Sequence, residues 1–227
     1  MKKKNLISIL LSLTIFCSCN VQGSYMEHFI SGYYTYNNID LSVVDVYDVA
    51  PNDGNDYQWI TVFADADDIY RYNETQESRK QIYNQLAEKY GDIGYDRNVE
   101  GATSNRSLFA IENISSIELT CLEDIDTEHP AGSSIADMFI FDGESPIEYI
   151  QSGYTSKFRK VINKKLEDIE SADLILLGKI FYDPCLFYLF PIEQQNCPAW
   201  GKKLRLTLNY ENQYPISKDF ILEEGEY

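Results

Sequence analysis

The sequence predicts a mainly β fold with minor α content, a β-sandwich of the immunoglobulin-like or a related type, decorated by one to three helices. Short alternations of apolar and polar residues recur along the chain between clusters of turn formers. The 18 tyrosines and 11 phenylalanines favour strands and a folded core over disorder. Only one segment, residues 77–90, carries a strong helical period.

The first two predicted strands form a hairpin over residues 39–63. Apolar and polar residues alternate from Ile39 to Val43, and the alternation then shifts phase, which predicts a β-bulge after Val43. Residues 51–55 are dense in turn formers, and a second strand over residues 59–63 follows them. This pattern predicts two antiparallel strands joined by a long loop.

The one strong helix is predicted over residues 77–90. Gly91 is typical of the position just after a helix, because glycine readily adopts the left-handed conformation there. Residues 91–105 are looser and are interpreted as a surface loop or a seam between subdomains. The apolar positions of the helix recur at helical spacing: Ile82, Tyr83, Leu86, Ala87 and Tyr90.

Shorter elements follow in the middle of the chain. Alternation predicts strands over residues 114–122 and 137–141. Ser145 and Glu148 have the spacing of a capping box, in which two side chains satisfy the first free N–H groups of a helix. We therefore predict a short helix over residues 147–151.

The last third of the chain combines one helical period with four extended segments. Residues 158–169 carry apolar side chains at helical spacing and predict a helix. Residues 174–177 and 187–190 are short apolar runs that predict extended chain. Residues 204–210 alternate strictly and form a predicted hairpin with residues 216–222, whose entry through a proline is typical of an edge strand.

The start of the chain predicts a signal peptide. Three lysines follow Met1, and the apolar stretch from Leu6 to Phe16 is too short to span a membrane. It ends in Cys17-Ser18-Cys19, which resembles the lipobox of bacterial lipoproteins. The resemblance implies that cleavage falls after the small Ser18 and that Cys19 is lipidated.

The sequence departs from the commonest lipobox at Phe16 and Cys17. Lipidation of Cys17 is therefore an alternative, although the bulky Phe16 before it argues against cleavage there. A second alternative is an ordinary secretory peptide whose cysteines are incidental.

We predict three parts in the chain: a lipoprotein signal peptide over residues 1–18, a lipidated tether over residues 19–24 and a single β-rich domain over residues 25–227. Acyl chains hold a protein on a membrane without crossing it, since each buried methylene contributes about 0.8 kcal/mol. We therefore expect a lipid-anchored protein of the cell envelope, on an outer membrane, facing the periplasm or the surface.

The chain is strongly acidic, with 36 acidic and 19 basic residues. Residues 1–18 hold three of the lysines and no acid, so 16 basic residues remain beyond them and the net charge there is −20. Phosphate binding needs a basic surface, so this charge argues against nucleic acid as a partner. It also opposes electrostatic docking on anionic lipids, which leaves the lipid as the anchor.

Three cysteines lie beyond the signal region. Cys121 shares the apolar face of its predicted strand and is expected to be a buried structural thiol. Cys185 and Cys197 each adjoin a proline, and exported proteins meet oxidising conditions. They form either a disulfide, which would contribute about 3 kcal/mol, or two free thiols.

Few residues point to catalysis. His28 and His129 are the histidines of the chain, and neither lies near a nucleophile motif, so His129 is interpreted as part of a turn. We predict no catalytic residue. A two-carboxylate glycan hydrolase stays an alternative, because that mechanism needs only a suitable pair of acids.

Two groups of residues are candidates for ligand binding. Asp65, Asp67 and Asp68 follow a predicted strand and are candidate calcium ligands, although their spacing differs from that of a calcium-binding loop and solvated turns are the simpler interpretation. Trp59 and Trp200 lie beside predicted turns. Exposed indole rings would stack on sugars or anchor a protein partner, whereas buried ones belong to the core. Apart from calcium, we predict no cofactor.

The lysine-rich start, the cysteine at residue 19 and the Tyr-, Asp-, Asn- and Ile-rich remainder resemble the envelope lipoproteins of gut Bacteroidota. Proteins of that kind commonly take part in glycan capture, adhesion or assembly. The resemblance therefore implies a non-enzymatic binding or interaction module for a glycan or an envelope protein. The alternatives are a two-carboxylate glycan hydrolase and a structural subunit of an envelope assembly.

Overall fold

A computed structural model of the chain describes residues 30–46, 57–94, 108–154, 160–178, 185–193 and 196–223. The predicted signal peptide, Cys19 and the tether lie outside these residues, as does most of the predicted seam over residues 91–105.

The described residues are mainly β, which confirms the predicted fold class at that level. The strands are β1 (Gly32–Val46), β2 (Tyr57–Arg71), β3 (Leu108–Ala110), β4 (Ile114–Cys121), β5 (Phe139–Ser145), β6 (Lys160–Lys165), β7 (Cys185–Pro191), β8 (Lys203–Tyr210) and β9 (Ile216–Ile221). The helices are α1 (Glu77–Tyr90) and α2 (Ile147–Gln151), with 3₁₀ turns at Ala136–Met138, Leu166–Asp168 and Ser171–Asp173.

The strands form two sheets. The larger sheet has the order β3-β1-β2-β7-β5-β6, and the smaller one has the order β4-β8-β9. Neighbouring strands are antiparallel except for β1 and β3, which are parallel. The chain passes from the larger to the smaller sheet between β3 and β4, and this crossing is where the candidate site lies.

The two sheets share one hydrophobic core, which we call the first core. It includes Phe141 and Phe187 of the larger sheet and Leu206 of the smaller one, all fully buried. Complete burial of such a side chain contributes about 1.5–3 kcal/mol, so this core is a principal source of stability.

A second core lies where the helices pack on the larger sheet. Tyr33 belongs to it, whereas the next residue, Tyr34, belongs to the first core. Successive side chains of a strand point to opposite faces, which explains how adjacent tyrosines enter different cores. The other aromatic members of the second core are Tyr83, Tyr90, Phe109, Tyr149 and Tyr154.

Helix α1 confirms the prediction for residues 77–90, and Gly91 has the expected left-handed backbone with φ of 76°. Its buried face differs slightly from the predicted stripe. Tyr83, Ala87 and Tyr90 are buried, whereas Ile82 is 37% exposed. The helix packs on the tyrosines of β1 and β2, and this contact selects the face that is buried.

The hairpin of β1 and β2 confirms the predicted pair of strands, but the bulge predicted after Val43 is wrong. Pairing is continuous there, and the irregularity lies instead around Tyr36, which pairs with Ala66 while Thr35 pairs with Asp68. Asp67 is the extra residue on β2. The bulge therefore lies beside the crossing between the sheets.

Three local predictions in the second half of the chain are wrong. Residues 160–165 form β6 rather than part of a helix, because pairing with β5 overrides the helical spacing. Residues 174–177 include a turn rather than extended chain. Helix α2 forms as predicted but without a capping box, since the Ser145 hydroxyl donates instead to the carbonyl of Ile175 at 2.8 Å.

The hairpin of β8 and β9 confirms the last prediction, and β9 lies at an edge of the smaller sheet. Within the described ranges, no helix is long and apolar enough to span a bilayer.

Candidate functional site

A cavity of about 300 Å³ lies beside β1 at the crossing between the sheets. We call it the Glu112 cleft. Its lining comes from β1, the end of α1, the β3–β4 connection and the turn that follows β8. The described residues that line it are Thr35, Lys89, Ile111, Glu112, Asn113, Tyr210, Glu211, Asn212 and Gln213. Pockets that hold small ligands begin at about this size.

The short length of β3 positions Glu112. β3 pairs with β1 over Gly32–Tyr34, and the N–H of Ile111 then donates to the carbonyl of Tyr34 at 3.0 Å. At the next position the N–H of Tyr36 donates to Oε1 of Glu112 at 3.4 Å. The glutamate side chain thus takes the place of a strand partner at the exposed edge of β1.

Glu112 is a buried acid whose protonation is poised near neutral pH. The residue is 8% exposed. Burial raises the pKa of Glu112 to about 7, against the opposing effect of nearby backbone N–H groups, and the charge of Asp67 raises it further. The bulge that displaces Asp67 therefore influences the cleft electrostatically.

Two oxygen atoms at the cleft lack donors. Oε2 of Glu112 and Oδ1 of Asn113 are both screened from solvent, and neither accepts a hydrogen bond from the residues that the structure describes. Buried acceptors without donors are uncommon and costly in native proteins. The cleft therefore contains two buried acceptor atoms to which no described donor is bonded.

A pair of tyrosines connects the two sheets at the cleft. The hydroxyl of Tyr210 on β8 donates to that of Tyr36 on β1 at 2.9 Å. Burial raises the pKa of both hydroxyl groups well above the usual range, so both stay protonated at neutral pH. The pair ties the smaller sheet to β1, and Tyr210 itself lines the cleft.

A second buried carboxylate, Asp92, follows α1. It is 1% exposed and accepts hydrogen bonds from the hydroxyls of Tyr33, at 2.9 Å, and Tyr154, at 2.5 Å. Its own N–H donates to the carbonyl of Ala87 at 2.7 Å and closes the end of the helix. Asp92 therefore joins α1 to β1 and to the segment after α2, which indicates a structural role.

Strained backbone occurs beside this network. Tyr154 and Leu176 have φ of 61° and 52°, a left-handed conformation that is uncommon for large side chains and costs about 1–3 kcal/mol each. Both residues are fully buried in the second core. The bond from Tyr154 to Asp92 is one of the contacts that hold this conformation.

The two tryptophans have different surroundings, and neither belongs to the described lining of the cleft. Trp59 lies against Tyr188 and Phe190, with ring centroids 5.9 and 5.6 Å away, and its Nε1–H donates to the Thr61 hydroxyl at 3.2 Å. Trp200 packs, partly buried, against the first core. Ligand binding by either residue stays a prediction, and the packing of Trp200 favours the core interpretation.

The three aspartates predicted as calcium ligands have different surroundings. Asp68 forms a 2.9 Å ion pair with Arg79, Asp65 is exposed opposite Asn38, and Asp67 occupies the bulge. Across the described residues, no group of three His, Cys, Asp or Glu side chains could hold a metal ion. Calcium binding at this trio stays a prediction and forms no part of our proposal.

The three cysteines beyond the signal region are buried. The prediction for Cys121 is confirmed, and its Sγ lies 3.1 Å from the carbonyl oxygen of Pro130. Cys185 and Cys197 are not bridged to each other in this structure, and the disulfide between them stays a prediction. Burial raises the pKa of Cys197, which disfavours its reactive thiolate form.

His129 lies in a turn, as predicted, between two carboxylates. Its Nδ1 lies 2.9 Å from Asp126 and its Nε2 3.3 Å from Asp137. Desolvation lowers the pKa of His129, but the hydrogen bonds and charges of Asp126 and Asp137 outweigh it and raise the pKa above the ordinary histidine value. Both ring nitrogens are thus engaged in holding the turn.

We expect NMR titration to give His129 a pKa above that of a histidine in an unfolded chain. Because the folded pKa is raised, the turn is stabilised at acidic pH and loses this contribution as the pH rises through the folded value. Asp126→Asn should lower the pKa of His129, whereas Glu88→Gln, at an exposed helix position, should leave it unchanged. An equal pKa in the wild type and Asp126→Asn would contradict this assignment.

Sequence patterns gave no reason to select Glu112 or Asp92 from 36 acidic residues. Glu112 caps a strand edge that exists only after β1 and β3 have paired, and Asp92 follows the predicted helix without a motif. One signal was available: each is an isolated acid beside apolar residues, Ile111 and Ile93 respectively.

Comparisons of the chain with protein-family models, with curated proteins and with solved structures find no match. The functional proposal therefore depends on the residues and geometry described above.

Proposed function

We propose that this protein is a lipid-anchored component of a bacterial outer membrane whose folded part is a non-enzymatic binding module for a glycan. The lysine-rich start, the short apolar stretch and the cysteine at residue 19 support the anchor. We further propose that the two sheets form a β-sandwich scaffold, which their shared core supports.

The polar lining of the Glu112 cleft carries the binding proposal. Amide side chains come from Asn113, Asn212 and Gln213 and a hydroxyl group comes from Thr35, whereas the Tyr210 hydroxyl is engaged with Tyr36. Groups of this kind form directional hydrogen bonds with a hydroxyl-rich ligand, and fixed polar groups in a concave site are what set ligand orientation. This chemistry favours a sugar over an apolar ligand.

A two-carboxylate glycan hydrolase is the second candidate function, and one observation favours it. Glu112 and Glu211 both line the cleft, and a carboxyl with a pKa of about 7 can keep the proton that a general acid must deliver. We favour binding because three amide side chains, Asn113, Asn212 and Gln213, line the same cleft, and amides serve recognition rather than proton transfer.

A panel of bacterial and dietary polysaccharides separates the two functions. A binding module should retain particular polysaccharides saturably and release no reducing ends over long incubation. Reducing ends that appear with the wild type and disappear in both Glu112→Gln and Glu211→Gln would establish the hydrolase instead. Failure to retain any glycan in the panel would overturn the glycan-binding proposal.

We expect Cys19→Ala to abolish incorporation of labelled palmitate and to release the protein from membranes, because the lipid is the proposed anchor. Labelling and membrane fractionation in a bacterial host measure both effects. Cys17→Ala, the matched control, should still incorporate label. Continued labelling of Cys19→Ala would contradict lipidation at this residue.

A further inference from the structure

We propose that the Glu112 cleft recognises an ammonium group, and that its preferred ligand is a hydroxyl-rich amine with the chemistry of an amino sugar. This inference deepens the glycan-binding function proposed above and depends on it. It specifies which chemical group of the ligand meets Glu112 and therefore which sugars are preferred.

The charges around the cleft favour a cation. Glu112 and Glu211 line it, and the charge of Asp67 acts on Glu112 from the neighbouring bulge. Lys89 is the basic residue among the described lining, and its Nζ lies 4.8 Å above the ring of Tyr90. With a net charge of −17, the whole chain also attracts cations more than anions.

The hydrogen-bonding groups independently favour a donor-rich ligand. Glu112 is more than nine-tenths buried, and its Oε2 accepts no hydrogen bond from the described residues. Oδ1 of the adjacent Asn113 is likewise screened from solvent and accepts no hydrogen bond from the described residues. An ammonium group offers three N–H donors and no acceptor, so it can donate to Glu112 without burying a new unpaired acceptor.

A small movement gives the ligand access to Glu112. The terminal torsion of a glutamate is broad, so rotation about it turns Oε2 toward the cleft without moving the backbone, in exchange for the long 3.4 Å bond from the Tyr36 N–H to Oε1. The bound ammonium then stabilises the carboxylate form of Glu112, because an opposite charge at close range favours ionisation. The amide groups of the lining and the Thr35 hydroxyl remain to bond the ligand hydroxyls.

Three sugars that differ at one position test the proposal. Glucose carries a hydroxyl there, glucosamine an ammonium group and N-acetylglucosamine an amide. Calorimetric titration of the purified full-length protein in detergent should show glucosamine binding about tenfold more tightly than either of the others, as a charge-assisted hydrogen bond implies. Glu112→Gln should remove this preference, and the exposed control Glu88→Gln should keep it.

Each outcome decides the inference. Equal affinity for glucosamine and glucose, or unchanged glucosamine binding by a folded Glu112→Gln, overturns it. So does absence of binding by all three sugars. If Glu112→Gln fails to fold, NMR titration of Glu112 in the wild type serves instead, and a Glu112 pKa that glucosamine does not lower counts against the proposal. Saturable retention of neutral polysaccharides without preference for amines would support the glycan-binding function and overturn only the inference about the ammonium group.

Discussion

Glu112→Gln is expected to stabilise the protein by up to about 3 kcal/mol at mildly alkaline pH and to have little effect at acidic pH. The carboxyl titrates near 4.5 in an unfolded chain and near 7 in the folded protein. Between these values the unfolded chain releases its proton first, so rising pH favours unfolding. A difference of this size corresponds to about 3 kcal/mol, and glutamine has no proton to lose.

Chemical denaturation across a pH series measures this effect. The difference in unfolding free energy between Glu112→Gln and the wild type should grow as the pH rises from 4.5 to 7 and then level off. Glutamine still accepts the N–H of Tyr36, so the strand edge stays satisfied. Glu88→Gln, at an exposed position, is the control and should show no such trend. A pH-independent difference would refute the raised pKa of Glu112.

Asp92→Ala is expected to destabilise the protein by about 3–5 kcal/mol. The substitution removes two hydrogen bonds to a charged acceptor, each contributing about 1.5–3 kcal/mol, and takes a partner from the buried hydroxyls of Tyr33 and Tyr154. It also frees the strained backbone at Tyr154 from one of its contacts. The loss should exceed that of most single substitutions.

Urea denaturation of matched variants measures the contribution of Asp92. Tyr33→Phe removes only one of the bonds and should cost less than half as much. Asp142→Ala, which removes a carboxylate bonded to Asn163 on an exposed part of the larger sheet, should cost less than either. If Asp92→Ala were no more harmful than Asp142→Ala, the structural role of Asp92 would be refuted.

The two buried acids, Asp92 and Glu112, differ in how completely their carboxyl oxygens accept hydrogen bonds. Asp92 accepts two tyrosine hydroxyls and stabilises the packing of α1, whereas Glu112 destabilises the fold at neutral pH and retains an oxygen without a donor. Proteins tolerate such costs chiefly at sites where function requires them. This contrast is the reason for placing the binding function at Glu112.

Local sequence patterns predicted those parts of the fold that local physics determines. Helix α1 and the β8–β9 hairpin have strong periods and suitable end residues, and both formed with nearly the predicted bounds. Residues 160–165 have a helical spacing but form β6, because pairing with β5 is a long-range contact that no local pattern records. The position of the bulge near Tyr36 likewise depends on two strands together.

The candidate site was beyond local prediction for the same reason. Its lining comes from segments far apart in sequence, such as Thr35, Lys89 and residues 211–213, that meet only where the chain crosses between the sheets. The sequence drew attention instead to residues with distinctive chemistry, Trp59 and Trp200 among them. Neither lines the cleft: Trp59 lies against Tyr188 and Phe190, and Trp200 packs against the first core.

Mapping a bound glycan by NMR tests the central claim most directly. Isotope-labelled protein would be titrated with a polysaccharide fragment that the panel shows to be retained. We predict that the largest backbone shift changes fall on residues 111–113 and 211–213, and that Glu112→Gln binds an amine-bearing fragment more weakly. Changes centred instead on the sheet face around Trp59, Tyr188 and Phe190, with Glu112→Gln behaving as the wild type, would contradict the assignment of the cleft as the binding site.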